Sequence, residues 1–185
     1  DCCAAPGGKS FACAIAMGDR GEVVSCDLHP HKKALIQAGA DRLGLTCVRP
    51  GTADARAFHS EWEGAFDRVL VDAPCSGLGV IRKKPDIRYK DPAPLAGLPS
   101  VQLAILSNAA RYVRLGGTLL YSTCTLLQRE NEGVVRAFLR DCSAYKEESF
   151  TLPGPVGTAA SGMVTLWPHI HNTDGFFICK LKREG

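Results

Sequence analysis

The sequence of 185 residues lacks a continuous apolar run of about 20 residues, which is the length that a membrane-spanning helix needs. No signal-peptide pattern is visible, and the net charge of +3 is too small to indicate nucleic-acid binding by itself. The sequence also contains no CxxC pair, the spacing that is typical of zinc sites. We therefore expect no membrane partner and no bound metal.

Two glycine motifs are also missing. The sequence contains neither G-x-G-x-x-G nor the Walker pattern G-x-x-x-x-G-K-[ST], so the common dinucleotide and nucleoside-triphosphate loops are not predicted. The loop Ala4-Ala5-Pro6-Gly7-Gly8-Lys9 precedes a helical segment, whose free N–H groups would suit a ligand. An ordinary turn between a strand and a helix explains this loop equally well when it is taken alone.

Nine cysteines are a high and odd number for a chain of this length. An even set in a short, loop-rich chain would indicate a secreted disulfide scaffold. Five of the cysteines instead lie in apolar segments, where we interpret them as small buried hydrophobic residues in a reducing, cytoplasmic compartment: Cys13, Cys26, Cys47, Cys142 and Cys179.

Strand-like and helix-like segments alternate along the chain. Apolar runs predict strands over 22–27, 46–50, 66–71, 118–121 and 175–181, and helical spacing predicts helices over 31–43, 101–113 and 130–139. Gly116-Gly117 is predicted to close the second helix, and 153–162 is predicted to be a surface loop. The alternation predicts one α/β domain, residues 1–185, with a Rossmann-like and mostly parallel sheet that ends in an antiparallel strand. Because the chain opens on a loop and a helix, we expect a strand before Asp1 and interpret the chain as part of a longer protein.

Polar side chains follow several of the predicted strands. Asp27, Asp54 and Asp72 come at or soon after three strand ends, which meet at one edge of a parallel sheet. Taken singly, each is weak evidence, and Asp54 would serve equally well as a helix N-cap. Together with the loop at residues 4–9 they outline a pocket for an adenosyl-type cofactor.

Cysteines also follow two of the predicted strands: Cys75, in Pro-Cys-Ser-Gly, follows the same strand as Asp72, and Cys124, in Ser-Thr-Cys-Thr, follows the next one. A thiolate that adds to C6 of a cytosine converts the ring into an enamine, so that C5 attacks an activated methyl group before the C5 proton and the thiol leave. Asp72 could hold the ring at N3 and N4, and the base must first be splayed from its stack. An isolated cysteine would instead be a small residue in a tight turn.

These motifs resemble those of the RNA cytosine-5 methyltransferases of the Fmu/RsmB/Sun type. The resemblance runs from residues 1–9 through 72–76 and 121–125 to Asp174-Gly175-Phe176-Phe177. It implies a class I methyltransferase fold, with Cys124 as the nucleophile and Cys75 as the residue that assists product release. It also implies a set of residues that line the S-adenosylmethionine site: Cys3, Ala4, Ala5, Pro6, Gly7, Gly8, Lys9, Asp27, Asp54 and Asp72.

The stretch 79–88 is similar to the bacterial RsmB members of this family and implies 16S ribosomal RNA as the substrate. Basic residues in and after this stretch are predicted to contact RNA phosphates, or else to form a solvated loop: Arg82, Lys83, Lys84, Arg88 and Lys90. Glu130-Asn131-Glu132 are predicted to open a helix and are given no catalytic role. Family members carry amino-terminal RNA-binding regions, and we expect no such region within residues 1–185.

The sequence thus predicts a monomeric RNA cytosine-5 methyltransferase that uses S-adenosylmethionine. Two alternatives stay open at this point. One is a catalytically incompetent RNA-binding fragment of such an enzyme. The other is a Rossmann oxidoreductase, against which the missing G-x-G-x-x-G motif argues.

Overall fold

The computed structural model describes residues 1–91 and 93–185, without the side chain of residue 155. The helices are α1 Gly8–Ala16, α2 Pro30–Leu43, α3 Leu98–Ala110, α4 Glu132–Asp141 and α5 Pro168–His171. The strands are β1 Val23–Asp27, β2 Val48–Thr52, β3 Phe66–Asp72, β4 Val113–Thr123, β5 Tyr145–Glu147, β6 Phe150–Leu152, β7 Gly157–Ala159, β8 Met163–Leu166 and β9 Phe176–Arg183. Within the described ranges, no helix is long and apolar enough to cross a membrane.

The main strands form two parallel pairs. Strand β1 pairs with β2, and β3 pairs with β4. Strand β9 lies antiparallel to β4 and also pairs with β5 and β8. The prediction of a mostly parallel sheet with a terminal antiparallel strand is confirmed, and the carboxyl ends of β3 and β4 lie side by side, with Asp72 opposite Ser122.

A gap separates the two parallel pairs, and the first residues of the chain bridge one end of it. The Asp1 amino group donates to the Val24 carbonyl at 2.9 Å, and the Cys26 N–H donates to the Asp1 carbonyl at 2.9 Å. On the other side, the Cys2 N–H donates to the Leu70 carbonyl at 3.0 Å. This is the pattern of a parallel ladder. The rest of the gap is a cavity of about 810 Å³ that the facing edges of β1 and β3 line.

The junction between α3 and β4 differs from the prediction. The helix ends at Ala110, three residues earlier than predicted, and Gly116-Gly117 lie inside β4 instead of closing the helix. Between the paired residues Phe66–Val113 and Arg68–Thr118, β3 has one residue and β4 has four, so β4 bulges there. A Cβ at Gly117 would lie 2.6 Å from Val113 Cγ1 and 2.9 Å from the Asp67 carbonyl, which explains the glycine.

The core is divided in the same way as the sheet. The larger cluster joins β3, β4 and β9 to α3 and α4, and Leu106, Leu119 and Phe177 are fully buried in it. A smaller cluster packs α1 and α2 on the β1–β2 pair around Ile36. Two other expectations were wrong in part. The stretch 153–162 contains β7 of the β6–β7 hairpin, and Cys13 is exposed instead of buried.

Candidate active site

The two cysteine loops meet because β3 and β4 are paired in parallel. Cys75 follows β3 by three residues, and Cys124 comes directly after β4. Their Sγ atoms lie 3.2 Å apart, and the Cys124 N–H also points at Cys75 Sγ, at 3.3 Å. The distance between the sulfurs is within hydrogen-bonding range for two thiols, so one proton can be shared between them.

Sharing this proton makes the two thiols unequal. The hydrogen bond from Cys75 lowers the pKa of Cys124 from 9.0 to about 7, and the charge of Lys9 acts in the same direction. The same hydrogen bond, together with burial, raises the pKa of Cys75. The arrangement therefore favours a thiolate on Cys124 beside a protonated Cys75.

Burial sets several of the other cysteines apart from this pair. It raises the pKa of Cys3 to about 12, and it raises the pKa of Cys2, Cys26 and Cys179 as well. Cys2 and Cys3 come directly before the loop at residues 4–9, yet burial opposes a thiolate on either of them. Cys124 is thus the better candidate for a nucleophile.

Asp72 links the cysteine loops to the loop at residues 4–9. Its Oδ1 accepts a hydrogen bond from Ser122 Oγ at 2.8 Å, one residue from the end of β4. Its Oδ2 forms an ion pair with Lys9 Nζ at 2.6 Å. About 29% of the Asp72 side chain is exposed, so that a ligand could still reach the carboxylate.

A cavity of about 290 Å³ lies between Asp72 and the loop. Gly7 has a φ of 111°, which side chains rarely adopt, and a Cβ there would lie 2.3 Å from the Phe11 ring. The loop then enters α1 at Gly8. The cavity is lined by Asp1, Cys3, Ala4, Ala5, Pro6, Gly8, Lys9 and Asp72, so the structure brings together most of the predicted cofactor residues.

The other two predicted carboxylates are placed differently. Asp27, at the end of β1, contacts the loop through its Oδ2, which accepts from the Ala5 N–H at 3.3 Å, and it pairs with Lys32 at 3.3 Å. Asp54 lines the larger cavity instead. It accepts hydrogen bonds from the Arg56 side chain and N–H, which lower its pKa to about 2.

The predicted RNA-contacting residues lie on two short 3-10 turns after Cys75 and on the segments around them. Arg82 and Lys83 both pair with Asp174, at 3.3 and 2.5 Å, although their side chains remain 59% and 70% exposed. Lys84, Arg88 and Lys90 are also exposed. The ion pairs fix the first turn against the Asp174–Phe177 motif, which the prediction of phosphate contacts did not anticipate.

Sequence reasoning missed a buried polar group behind the cysteines. Glu130 and Asn131 were expected to open a helix, but α4 begins at Glu132, and both side chains are fully enclosed at 0% and 1% exposure. Gln102 of α3 is also 0% exposed. No local signal pointed to this burial, because adjacent polar residues at the start of a helix are normally solvated.

Comparisons with known proteins agree with this geometry. The family model for the 16S rRNA methyltransferase RsmB/F matches residues 1–182. The chain is 47% identical to the probable ribosomal RNA small subunit methyltransferase B of Bacillus subtilis, over 100% of this chain and 43% of that protein. It is 35% identical to the ribosomal RNA small subunit methyltransferase F of Erwinia tasmaniensis, over 99% of this chain and 39% of that protein. The chain thus spans less than half the length of these relatives.

Solved structures give the same result. The crystal structure of NSun6 from Pyrococcus horikoshii with SFG has a TM-score of 0.81 and 32% identity, over 100% of this chain and 47% of that chain. A methyltransferase homologue from Pyrococcus horikoshii has a TM-score of 0.78 and 28% identity, over 98% of this chain and 59% of that chain. The resemblance that the motifs predicted is confirmed: this chain belongs to the RsmB/F family of 16S rRNA methyltransferases.

Proposed function

We propose that the chain transfers a methyl group from S-adenosylmethionine to C5 of a cytosine in RNA, through a covalent bond between Cys124 and C6. The observation that carries the proposal is the thiol pair, with the Sγ atoms 3.2 Å apart and the pKa of Cys124 lowered to about 7. Relatives named as small-subunit rRNA methyltransferases support 16S rRNA as the substrate and a cytoplasmic location. Family membership also argues against the oxidoreductase alternative.

The residues around the smaller cavity fit S-adenosylmethionine. This cofactor carries ribose hydroxyls, a sulfonium and an ammonium, which suit the Asp27 and Asp72 carboxylates, and a carboxylate, which suits Lys9. The start of α1 adds free N–H groups. When bound, the cofactor supplies the activated methyl group. Asp27, Asp72 and Lys9 would bind and orient it.

Cys124 would begin the reaction as a nucleophile. At neutral pH a thiol with a pKa of about 7 is about half ionised, and its thiolate can add to C6 of a splayed cytosine. Electron density then moves to C5, which becomes able to accept the methyl group. Asp72 has free lone pairs that can accept a hydrogen bond from the cytosine N4 amino group.

Cys75 would complete the reaction. Its pKa is raised mainly by the hydrogen bond to Cys124 and also by the charge on that sulfur. Both effects disappear once Cys124 is bonded to carbon, so the pKa of Cys75 falls, although burial still raises it. After Cys75 has released its own proton to solvent, its thiolate can take the C5 proton. The electron pair of the C5–H bond then forms the C5–C6 double bond and expels Cys124 as a thiolate.

The exposed basic residues beside the Cys75 loop would contact RNA phosphates. Arg82 and Lys83 keep exposed side chains despite their ion pairs with Asp174, and Lys84, Arg88 and Lys90 add positive charge. Such contacts position RNA without reading its sequence. Choice of the target nucleotide would then depend on other parts of a longer protein.

A methyl-transfer assay with radiolabelled cofactor and 16S rRNA tests the proposal. Cys124→Ala is expected to abolish transfer and to leave cofactor affinity almost unchanged, because Cys124 does not line the smaller cavity. Cys142→Ala, which removes a half-buried cysteine at the end of α4, is the matched control and should retain transfer. Full activity of Cys124→Ala would refute the nucleophile.

Cys75→Ala tests the release step separately. This variant is expected to accumulate an RNA–protein adduct that survives denaturation, since the C5 proton has lost its acceptor. Absence of an adduct under conditions where the unmodified chain is active would remove the proposed role of Cys75. If the unmodified chain binds RNA without transferring a methyl group, the catalytically incompetent fragment is the better description.

A further inference from the structure

A buried hydrogen-bonded cluster joins the two cysteine loops from behind. Ser76, next to Cys75, and Thr125, next to Cys124, share a hydrogen bond between their hydroxyls at 2.7 Å. Both side chains are buried, at 2% and 0% exposure. The residue after each cysteine is therefore tied directly to its counterpart in the other loop.

Glu130 and Gln102 hold the Cys75 loop. Glu130 Oε2 accepts hydrogen bonds from the Ser76 N–H and from Gln102 Nε2, both at 2.9 Å. Gln102 Nε2 also donates to the Pro74 carbonyl at 2.9 Å. The backbone on both sides of Cys75 is thus bonded to buried side chains, one of them from α3.

Asn131 holds the Cys124 loop in the same way. Its Nδ2 donates to the Thr125 carbonyl at 3.0 Å, and its Oδ1 accepts from Thr123 Oγ1 at 2.5 Å. These two contacts lie on either side of Cys124. Because Asn131 follows Glu130 directly, one short segment of the chain forms hydrogen bonds with both the Cys75 loop and the Cys124 loop.

This cluster is costly for a purely structural element. Burying a carboxylate without a cation is unfavourable, and here Glu130 Oε1 and Gln102 Oε1 have no partner within the described residues. Apolar side chains of similar volume often stabilise a core as well or better. The cluster instead supplies directional contacts on both sides of each cysteine, which apolar packing does not provide.

We propose that Glu130, Asn131 and Gln102 are positioning residues that set the distance between Cys75 and Cys124. The inference deepens the proposed function, because proton sharing at 3.2 Å is what distinguishes the two thiols. If the loops were free to part, Cys124 would lose its hydrogen-bond donor and Cys75 would no longer lie beside the reacting carbon.

The test measures thiol chemistry alone, without RNA or cofactor, so its outcome does not depend on methyl transfer. Diamide removes two hydrogen atoms from a pair of neighbouring thiols, which become a disulfide while the diamide is reduced to a hydrazine. The rate of the Cys75–Cys124 cross-link, followed by peptide mass spectrometry, reports how well the thiols are juxtaposed. Glu130→Ala is expected to slow it by roughly 10- to 100-fold, the effect of a displacement of about 1 Å on a positioned reaction.

Two variants separate positioning from general stability. Glu130→Gln keeps one oxygen to accept from Ser76 and Gln102, and it should restore the rate to near that of the unmodified chain. Asn108→Ala is the matched control, since Asn108 is also a buried polar residue of α3 but bonds the carbonyls of residues 55 and 57 and the Tyr112 hydroxyl. It should lower the unfolding midpoint and leave the cross-linking rate unchanged.

The outcomes decide the proposal in either case. A folded Glu130→Ala protein that cross-links as fast as the unmodified chain overturns it, as does an equal loss of rate in Asn108→Ala. Should Glu130→Ala fail to fold, Gln102→Ala takes its place, because it deletes the hydrogen bonds to the Pro74 carbonyl and to Glu130 Oε2. An unchanged rate in that variant also overturns the proposal.

Discussion

Replacing Cys75 with alanine should change the titration of Cys124. The hydrogen bond from Cys75 is the largest cause of the lowered pKa, and burial and the charge of Asp72 act in the opposite direction. Without Cys75, only Lys9 and the local N–H still favour the thiolate. We therefore expect the pKa of Cys124 in Cys75→Ala to rise from about 7 to 9.0 or above.

The size of the effect depends on which quantity is measured. At pH 7 the thiolate fraction falls from about 50% to about 1%, a change of roughly 50-fold. A more basic thiolate is also a better nucleophile. With a Brønsted coefficient of about 0.4–0.5, a rise of two pKa units makes the thiolate itself react roughly 8-fold faster. The net loss of alkylation rate at pH 7 is then only about 6-fold. The midpoint of the pH profile is the more decisive measurement.

Alkylation with iodoacetamide provides the assay. The rate at Cys124 is followed by peptide mass spectrometry over a pH series from about 5 to 10, with the exposed Cys13 as an internal reference. Cys75→Ser, which keeps a hydroxyl donor, should give a midpoint between those of the unmodified chain and Cys75→Ala. A midpoint near 7 in Cys75→Ala would refute the reasoning, because the lowered pKa would then have another cause.

A further prediction concerns stability. Asp174→Asn should lower the urea midpoint at neutral pH, because Lys83 and Arg82 hold the pKa of Asp174 below 3.8. Stability linked to a lowered carboxyl pKa is lost as the pH falls, so the difference in urea midpoint between the variant and the unmodified chain should shrink in acid. A difference that stays constant with pH would contradict this linkage.

Much of the fold could be predicted because apolar runs mark buried strands. Strand β3 was predicted at 66–71 and spans Phe66–Asp72, and α2 was predicted at 31–43 and spans Pro30–Leu43. The junction of α3 and β4 was not predictable in this way. The apolar residues on both sides of Arg111 are compatible with a helix or a strand, and the role of Gly117 depends on the Asp67 carbonyl of a neighbouring strand.

The candidate active site could likewise be predicted only in part. Cys75, Cys124 and Asp72 could be predicted to lie close together because they end adjacent parallel strands. The burial of Glu130 could not, since its partners are Ser76 and Gln102, which lie 54 and 28 residues away along the chain. Contacts of this kind arise only when α3 packs behind the two loops, and no local pattern encodes them.

The two halves of the structure support different parts of the site. The cysteine pair follows β3 and β4, which the larger core cluster covers. The loop at residues 4–9 is instead held between β1 and β3 by the hydrogen bonds of Asp1, Cys2 and Ala4. The smaller core cluster, which packs α1 and α2 on the β1–β2 pair, supports that loop. Partial destabilisation should therefore weaken cofactor binding first, while Cys124 keeps its low pKa until the β3–β4 half unfolds.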